Sequence, residues 1–530
     1  MMAKIRYIFY MLLVVNVSLV LYYFNQRDIF HTDEQWSYAH ANSTQGAYLS
    51  PSVDSYMRDK EHSISYKWLD NIIFHDYLTV QENERFVYGH IGENLKVVEH
   101  PPLYFLILHT ICSFFPDVFS KWHGGVLNIL AFALTLILLY KLSKLVLKDD
   151  VLALFPVFFW GFSNIGLGTA LYLRMYMLQT FFAVGLAYQT LLMLDEKQER
   201  AEQLILIYLY SALGILTQYN SLIFSFFMAM ATGSVLLCRK NWCLLLSYGG
   251  IMLLSVLTLF AVFPDAFDVL LHSQRGTEIA SRTTRLGSCL FLLWKIENLF
   301  DVYLTQLFCF RAVYGGVFVA FFLLGFMAVC NRQRNADIRL LLFVCVCTFV
   351  LLAFIMPEMY VFWSRYFMSV MPVAAILTIY LIIQGGVYLN LPKRYIVFLL
   401  SLLVTLNSLF ADFSHRSAYS FLQNMKTDMQ FEKDEHKRLI VVSGVSSFFS
   451  GTELYWKTDG VFRVDDICDN VGERLNADYL LAFNSIIKSV GDEDKIKEKM
   501  KDAKCMSNLE FVSVIKISAD FVFDLYRVVK

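Results

Sequence analysis

The amino-acid sequence predicts a polytopic α-helical membrane protein of about eleven transmembrane helices, followed by a small C-terminal extracytoplasmic α/β domain. Three observations carry this expectation. The 530 residues are 57% hydrophobic and only 17% charged, with 47 Phe, which is too apolar for a soluble chain. Apolar runs long enough to cross a bilayer recur along the chain, separated by short polar loops. The Lys and Arg residues of those loops fall on one side of the membrane when the spans are counted in order.

Lys4 and Arg6 precede the first span, about residues 7 to 24. That span lacks a small-residue cleavage site and reads as a signal anchor with a cytoplasmic N-terminus. A long outer loop, 25–122, follows. Within it the apolar run Leu103 to Phe115 is too short to cross a bilayer and has the length of an interfacial or re-entrant helix, so it is assigned to the outer surface. The second span then runs from about Gly124 to Leu145, which puts Lys141, Lys144 and Lys148 inside. Lys197/Arg200, Arg239/Lys240, Arg332/Arg334 and Lys393/Arg394 land on the same side, and the last span, about 395 to 411, exits outward. The boundary between a membrane domain, 1–411, and an outer domain, 412–530, follows from this count. In the outer part, Leu439–Val442 and Tyr479–Ala482 have the length and β-branched or aromatic content of strands, and Asp492 to Lys501 has a charged helical pattern.

The formal net charge of −1 and the lack of a basic tract argue against a nucleic-acid partner. Most Cys, such as Cys238, Cys345 and Cys347, lie inside apolar runs without CxxC spacing, which points away from zinc or redox chemistry. Cys468 and Cys505 would face an oxidising compartment, where pairing is open to them. Asp492-Glu493-Asp494 lacks the ligand alternation and glycine of a calcium loop. Asn42-Ser43-Thr44 fits the glycosylation pattern.

Asp33-Glu34 is the most informative short feature. Acids beside a membrane are costly unless solvated or paired, which invites a functional reading. The alternative is a helix start, because Thr32 with Gln35 fits a capping box and first-turn acids favour the positive end of the helix dipole. The turns expected outside hold Arg174 with Tyr176, Arg275-Gly276-Thr277-Glu278 with Arg282 and Arg285, and Arg365 with Tyr366. Arginine there suits a phosphate through its planar fork. Arg174 and Arg365 are equally open to snorkelling or to pairing with an acid such as Glu358.

Taken in order, Asp33-Glu34 with Tyr38-Ala39, the long outer loop, Glu99-His100-Pro101-Pro102-Leu103-Tyr104, Arg174-Met175-Tyr176 and Arg365-Tyr366 ahead of Pro372 resemble the GT-C superfamily of membrane glycosyltransferases. The resemblance is strongest to the branch of protein O-mannosyltransferases and lipid A aminoarabinose transferases, and spans the membrane domain. Thr217-Gln218-Tyr219 departs from the Thr-His-Tyr of many relatives. The resemblance implies a helical bundle with juxtamembrane helices on its outer face, and transfer of a sugar from a polyprenyl-phosphate donor to a lipid, glycan or protein acceptor. It implies an integral, multi-pass protein of a bacterial inner membrane, with the active site and C-terminal domain facing the periplasm.

Carried over by residue, the resemblance makes Asp33 the catalytic base. Successive helix positions point about a hundred degrees apart, so Glu34 is a supporting acid. Glu99, His100, Arg174, Tyr176, Arg275, Arg365 and Tyr366 are implied to bind substrate, with His100 open to orienting the pocket, binding the acceptor or only shaping a turn before Pro-Pro. No metal ligand set is assigned. A divalent metal ion is left open, because some relatives use one and others do not. Two readings from other classes compete: a transporter, which would need matched helix breaks at mid-membrane, and a receptor or scaffold acting through the C-terminal domain.

Overall fold

In hydrocarbon every backbone N–H and C=O has to be satisfied within the segment, so long apolar runs become helices. The computed structural model describes residues 2–27, 30–44, 66–98, 100–195, 200–272, 307–308, 323–327, 336–355, 365–410, 437–443, 448, 451–464, 476–486, 508–516 and 521–529. In chain order the main helices are α1 (Met2–Gln26), α2 (Thr32–Asn42), α3 (Asn71–Leu78), α4 (Gly89–Val98), α5 (Leu103–Ser113), α6 (Lys121–Leu147), α7 (Leu154–Gly161), α8 (Asn164–Leu171) and α9 (Tyr176–Leu194). They continue as α10 (Arg200–Thr217), α11 (Asn220–Cys238), α12 (Trp242–Val262), α13 (Ala266–His272), α14 (Ala336–Ile355), α15 (Met371–Tyr388), α16 (Lys393–Phe410) and α17 (Thr452–Tyr455). The strands are β1 (Trp68–Leu69), β2 (Arg438–Val442), β3 (Gly460–Val464), β4 (Tyr479–Ile486), β5 (Leu509–Lys516) and β6 (Phe521–Val528). Two units can be distinguished. A helical unit comprises Met1–Phe24, Glu99–Tyr104 and Gly125–Ser420, and a mixed unit comprises Asn25–Val98, Phe105–Gly124 and Phe421–Lys530.

Among the described residues seven helices are long and apolar enough to cross a membrane: α1, α6, α9, α11, α12, α14 and α15. The bent pair α7–α8 makes up to eight, so the chain is an integral multi-pass membrane protein. α16 lies where the last span is expected, and α5 is the short helix expected from the run after Pro102. In the helical unit α10 packs on α9 and α12, α11 on α12 and α14, and α7 on α15 and α16. The 62° bend between α7 and α8 has a local cause. Ser163 caps α8 by accepting the Gly166 N–H at 3.1 Å, and a Cβ on Gly166 would stand 2.1 Å from the Trp160 carbonyl oxygen, so the turn needs glycine.

Lys148, Lys240 and Asn390 adopt left-handed backbone (φ 54°, 57° and 56°) just beyond α6, α11 and α15. Each donates its N–H to the preceding turn, at 2.9, 3.0 and 3.0 Å, which ends the helix. Lys393 pairs with Asp149, Lys144 with Asp150 at 2.8 Å, and Arg239 Nη1 donates to the Leu194 carbonyl at 2.8 Å. The ends of α6, α9 and α11 and the start of α16 therefore share one end of the unit, as their loop charges require.

The mixed unit holds a six-stranded sheet of order β1-β3-β2-β4-β6-β5. β2 runs parallel to β3 and β4, and the other pairs are antiparallel. The continuously apolar runs of β2 and β4 lie at its centre, buried on both faces. One side gathers Ile440, Val442, Phe462, Val464, Leu480 and Tyr526, with Trp68 and Leu509 packed against them. The first outer loop supplies part of this unit. Trp68 and Leu69 pair with Phe462 and Val461, and the Phe74 ring lies 5.2 Å from Tyr455 and 6.0 Å from Phe448. Asn42 is fully buried and donates Nδ2 to the Leu78 carbonyl at 2.9 Å, so the glycosylation pattern is not an acceptor site in the folded chain.

α2 is capped differently from the sequence expectation of a Thr32–Gln35 box. His31 is the N-cap: its Nδ1 accepts the Asp33 N–H at 2.9 Å, while Glu34 Oε2 accepts the His31 N–H at 2.8 Å. A ring nitrogen reaches the first-turn donors as a Ser or Thr oxygen would. Glu34 also forms a two-pronged ion pair with Arg27, with Nη1 donating to Oε1 at 3.0 Å and Nη2 to Oε2. The side chains are 0% and 2% exposed. Lys121 holds the same turn by donating to the Arg27 carbonyl and, at 3.1 Å, to that of Asn25. Glu34→Ala leaves Arg27 buried without its carboxylate and is expected to cost about 3–5 kcal/mol. Asp33→Ala removes a favourable first-turn charge, worth about 0.3–1 kcal/mol, and is expected to cost less than Glu34→Ala. Unfolding midpoints of the two purified full-length variants check this ordering.

Candidate active site

The two neighbouring acids have different environments. Glu34 sits at the third position of α2, turned inward and held by Arg27 and the His31 N–H. Asp33, one position earlier, is half-buried. Aromatic packing steadies this segment: the Tyr38 ring stands edge-on to Phe30 and Phe119, its hydroxyl donates to the Ser120 carbonyl at 2.7 Å, and it accepts the Gly124 N–H at 3.0 Å. In the same unit His109 of α5 is pushed down to about 4 by burial and then by the neighbouring His90, so it is neutral near pH 7.

In the helical unit, His100, Arg174, Tyr176, Arg365 and Tyr366 come together. The break between α8 and α9 carries Arg174, and Asn128 holds this turn by donating to the Tyr172 carbonyl at 2.6 Å. Arg174 Nη2 lies 2.9 Å from His100 Nε2, with both residues buried. Arg365 opens the short turn before α15; its Nη1 donates to the Tyr172 hydroxyl at 3.3 Å and Nη2 to the Tyr366 hydroxyl at 3.5 Å. Its guanidinium also stands 5.2 Å over the Tyr366 ring. The Tyr172 and Tyr176 rings stack at 5.9 Å, and Tyr366 meets Tyr176 edge-on at 6.3 Å. Arg174 and Arg365 are only 5% and 8% exposed, which overturns snorkelling for both. Buried guanidiniums bounded by phenol rings form an aromatic-walled arginine cluster whose planar forks suit an anion with two acceptor oxygens.

Sequence reasoning misses Arg27 and Tyr172. Arg27 follows the first span directly and stands seven residues before its partner, a separation with no helical or strand period to flag it. Tyr172 shares the stretch Tyr172-Leu173-Arg174-Met175-Tyr176, and its aromatic symmetry about the arginine is the available signal. Gln218, at the position of the departure, accepts the Tyr219 N–H through its own Oε1 at 2.9 Å and so helps form the α10–α11 turn. Glu99, Arg275, Arg282, Arg285, Glu358, Cys468, Cys505 and the 492–501 pattern lie outside the described residues. Among the described residues, no three His, Cys, Asp or Glu side chains are grouped so as to hold a metal ion.

No protein-family model matches this sequence, and no curated protein matches it. Solved structures do match in fold. The chain is similar to ArnT from Cupriavidus metallidurans bound to undecaprenyl phosphate, with TM-score 0.51 and 11% identity over 97% of each chain. A match to the archaeal oligosaccharyltransferase AglB from Archaeoglobus fulgidus, in complex with an inhibitory peptide and a dolichol-phosphate, has TM-score 0.44 and 13% identity over 90% of this chain and 69% of that one. At such identities the likeness to ArnT is one of fold alone.

Proposed function

We propose that this protein is a glycosyltransferase that moves a sugar from a polyprenyl-phosphate-linked donor to a lipid, glycan or protein acceptor at the outer face of a bacterial inner membrane. The observation that carries the reading is the buried cluster of Arg174 and Arg365 around the Tyr172–Tyr176 turn in a GT-C fold. The undecaprenyl phosphate bound by ArnT supports the same donor class here.

In the reaction an acceptor hydroxyl attacks the anomeric carbon, the bond from that carbon to the donor's phosphate oxygen breaks, and the hydroxyl proton passes to a base. Asp33 is assigned as the base, because Glu34 is engaged by Arg27 and fixes the start of α2. The negative charge gathering on the departing phosphate is taken up by Arg174 and Arg365, whose guanidiniums are always charged and offer paired N–H donors. Tyr176 and Tyr366 wall the cluster, and Glu99 and Arg275 are further substrate-binding candidates. With this orientation the C-terminal strands face the periplasm. The basic loops are then cytoplasmic.

Transfer by the purified full-length protein in lipid nanodiscs, supplied with polyprenyl-phosphate sugars, tests the activity. Mass spectrometry of envelope glycans from a strain lacking the protein identifies sugar and acceptor. Because Arg365 is buried, Arg365→Lys is the informative variant: it keeps charge and stem but loses the fork. It is expected to raise the donor KM by about tenfold with little change in unfolding midpoint. An unchanged donor KM removes Arg365 from the donor site.

A further inference from the structure

A gathering of large apolar side chains in the open, with polar residues at its rim, marks a contact surface. The mixed unit has such a patch where two loops meet just before α6: Phe86, Val87, Phe114, Phe115, Val118 and Trp122 are all exposed, Phe114 at 62%. The Phe86 and Phe114 rings stand edge-on with centroids 5.2 Å apart. α5 itself does not present the patch, because each of its residues is buried or half-buried. The exposed side chains belong to the loop at its end and to the loop before α4.

Hydrogen bonds clamp the two loops together. Arg85 Nε donates to the Ser113 carbonyl at 2.9 Å, and Ser113 Oγ accepts the Phe86 N–H at 3.0 Å. Phe86 and Asp117 both have left-handed backbone, with φ 58° and 57°, and Asp117 donates its N–H to the Val80 carbonyl at 2.9 Å. For a phenylalanine that conformation is strained and persists where the surroundings impose it. Strain that keeps apolar rings in the open points to a surface with a partner.

Position in the chain identifies that partner. The Phe115 ring stacks on His123 at 5.3 Å, and Trp122 and His123 belong to the first turn of α6, a helix long and apolar enough to cross the membrane. Along α6, Trp122, Val126, Leu130 and Leu134 are exposed at four-residue spacing, an apolar stripe on the face turned to lipid. Trp122 heads that stripe, so the patch continues a lipid-facing surface. The Lys144–Asp150 pair marks the other end of α6. Arg85, paired with Glu82 at 2.7 Å, and the exposed Asp117 supply the polar rim. We propose that the loops 85–88 and 114–118 form a membrane-docking surface, with Phe86, Phe114, Phe115 and Val118 entering the boundary between headgroups and acyl chains at the end of α6 opposite the basic loops. Aromatic rings at that level have one face apolar and the other wet, as the membrane interface is. The docking fixes the first outer loop to the bilayer, whatever the sugar or acceptor.

Photo-crosslinking tests the occupant directly. Full-length protein carrying Phe86→p-benzoylphenylalanine, Phe114→p-benzoylphenylalanine or, as a control on the exposed polar side of α4, Glu93→p-benzoylphenylalanine is illuminated in nanodiscs of phosphatidylethanolamine and phosphatidylglycerol. Lipid adducts at 86 and 114 are expected to exceed those at 93 by at least about tenfold, the ratio by which burial favours a phenyl ring. Lipid adducts no more frequent than at 93 overturn the proposal, as do cross-links to a second copy or to another segment of the same chain in place of lipid. A fluorine label, Phe114→trifluoromethylphenylalanine, gives a second readout that needs no chemical capture. Its signal is expected to be broadened by a nitroxide on the upper acyl chain, at the depth of about 5–10 Å that an interfacial side chain reaches, and to be spared by a water-soluble paramagnet. The reverse pattern overturns the proposal.

Discussion

Removing a carboxylate from water costs several kcal/mol, and a buried Glu34 is tolerable because Arg27 meets both of its oxygens while the His31 N–H adds a third contact. That requirement sets the start of α2. With His31 as cap and Glu34 at the third position, Asp33 falls at the second, on a different face and in contact with solvent. The same turn is tied to the beginning of α6 through Lys121 and through Tyr38. An ion pair thus commits Glu34 to the structure of this turn.

The chain uses arginine in two ways. Arg27 faces a carboxylate, and its charge is spent on holding a turn. Arg174 lies against an imidazole nitrogen, and Arg365 donates to two phenol hydroxyls. Tyr172 stacked on Tyr176, with Tyr366 edge-on to Tyr176, gives the cluster apolar walls, where a charge-assisted hydrogen bond is stronger than in water.

Much of the architecture was legible in the residues, because hydropathy and strand-length runs are local properties. The helices of the spans, the short α5, the central strands β2 and β4 and the common end of the basic loops follow from them. Features set by partners distant in sequence were not. Trp68–Leu69 is too short to show a period, yet it forms the β1 edge and brings the first outer loop into the unit of the C-terminal strands. The capping box is one residue away from its expected place because histidine seldom enters a capping pattern, although its ring nitrogen can do the work. For the site, Arg174 and Arg365 were visible as positive residues running against the expected positive-inside pattern, with Tyr176 and Tyr366 close by in sequence. Their mutual contacts, the burial of Arg365 and the engagement of Glu34 by Arg27 needed three-dimensional packing.

In the proposed reaction Asp33 takes the acceptor's proton while Glu34 holds the start of α2. The rate of sugar transfer by full-length Asp33→Asn, at saturating donor and acceptor, tests it most directly, because asparagine keeps the size of the side chain but cannot accept the proton. A fall of about a hundredfold to ten-thousandfold in turnover is expected, with an unfolding midpoint close to wild type. Near-normal turnover by a well-folded Asp33→Asn protein would contradict it.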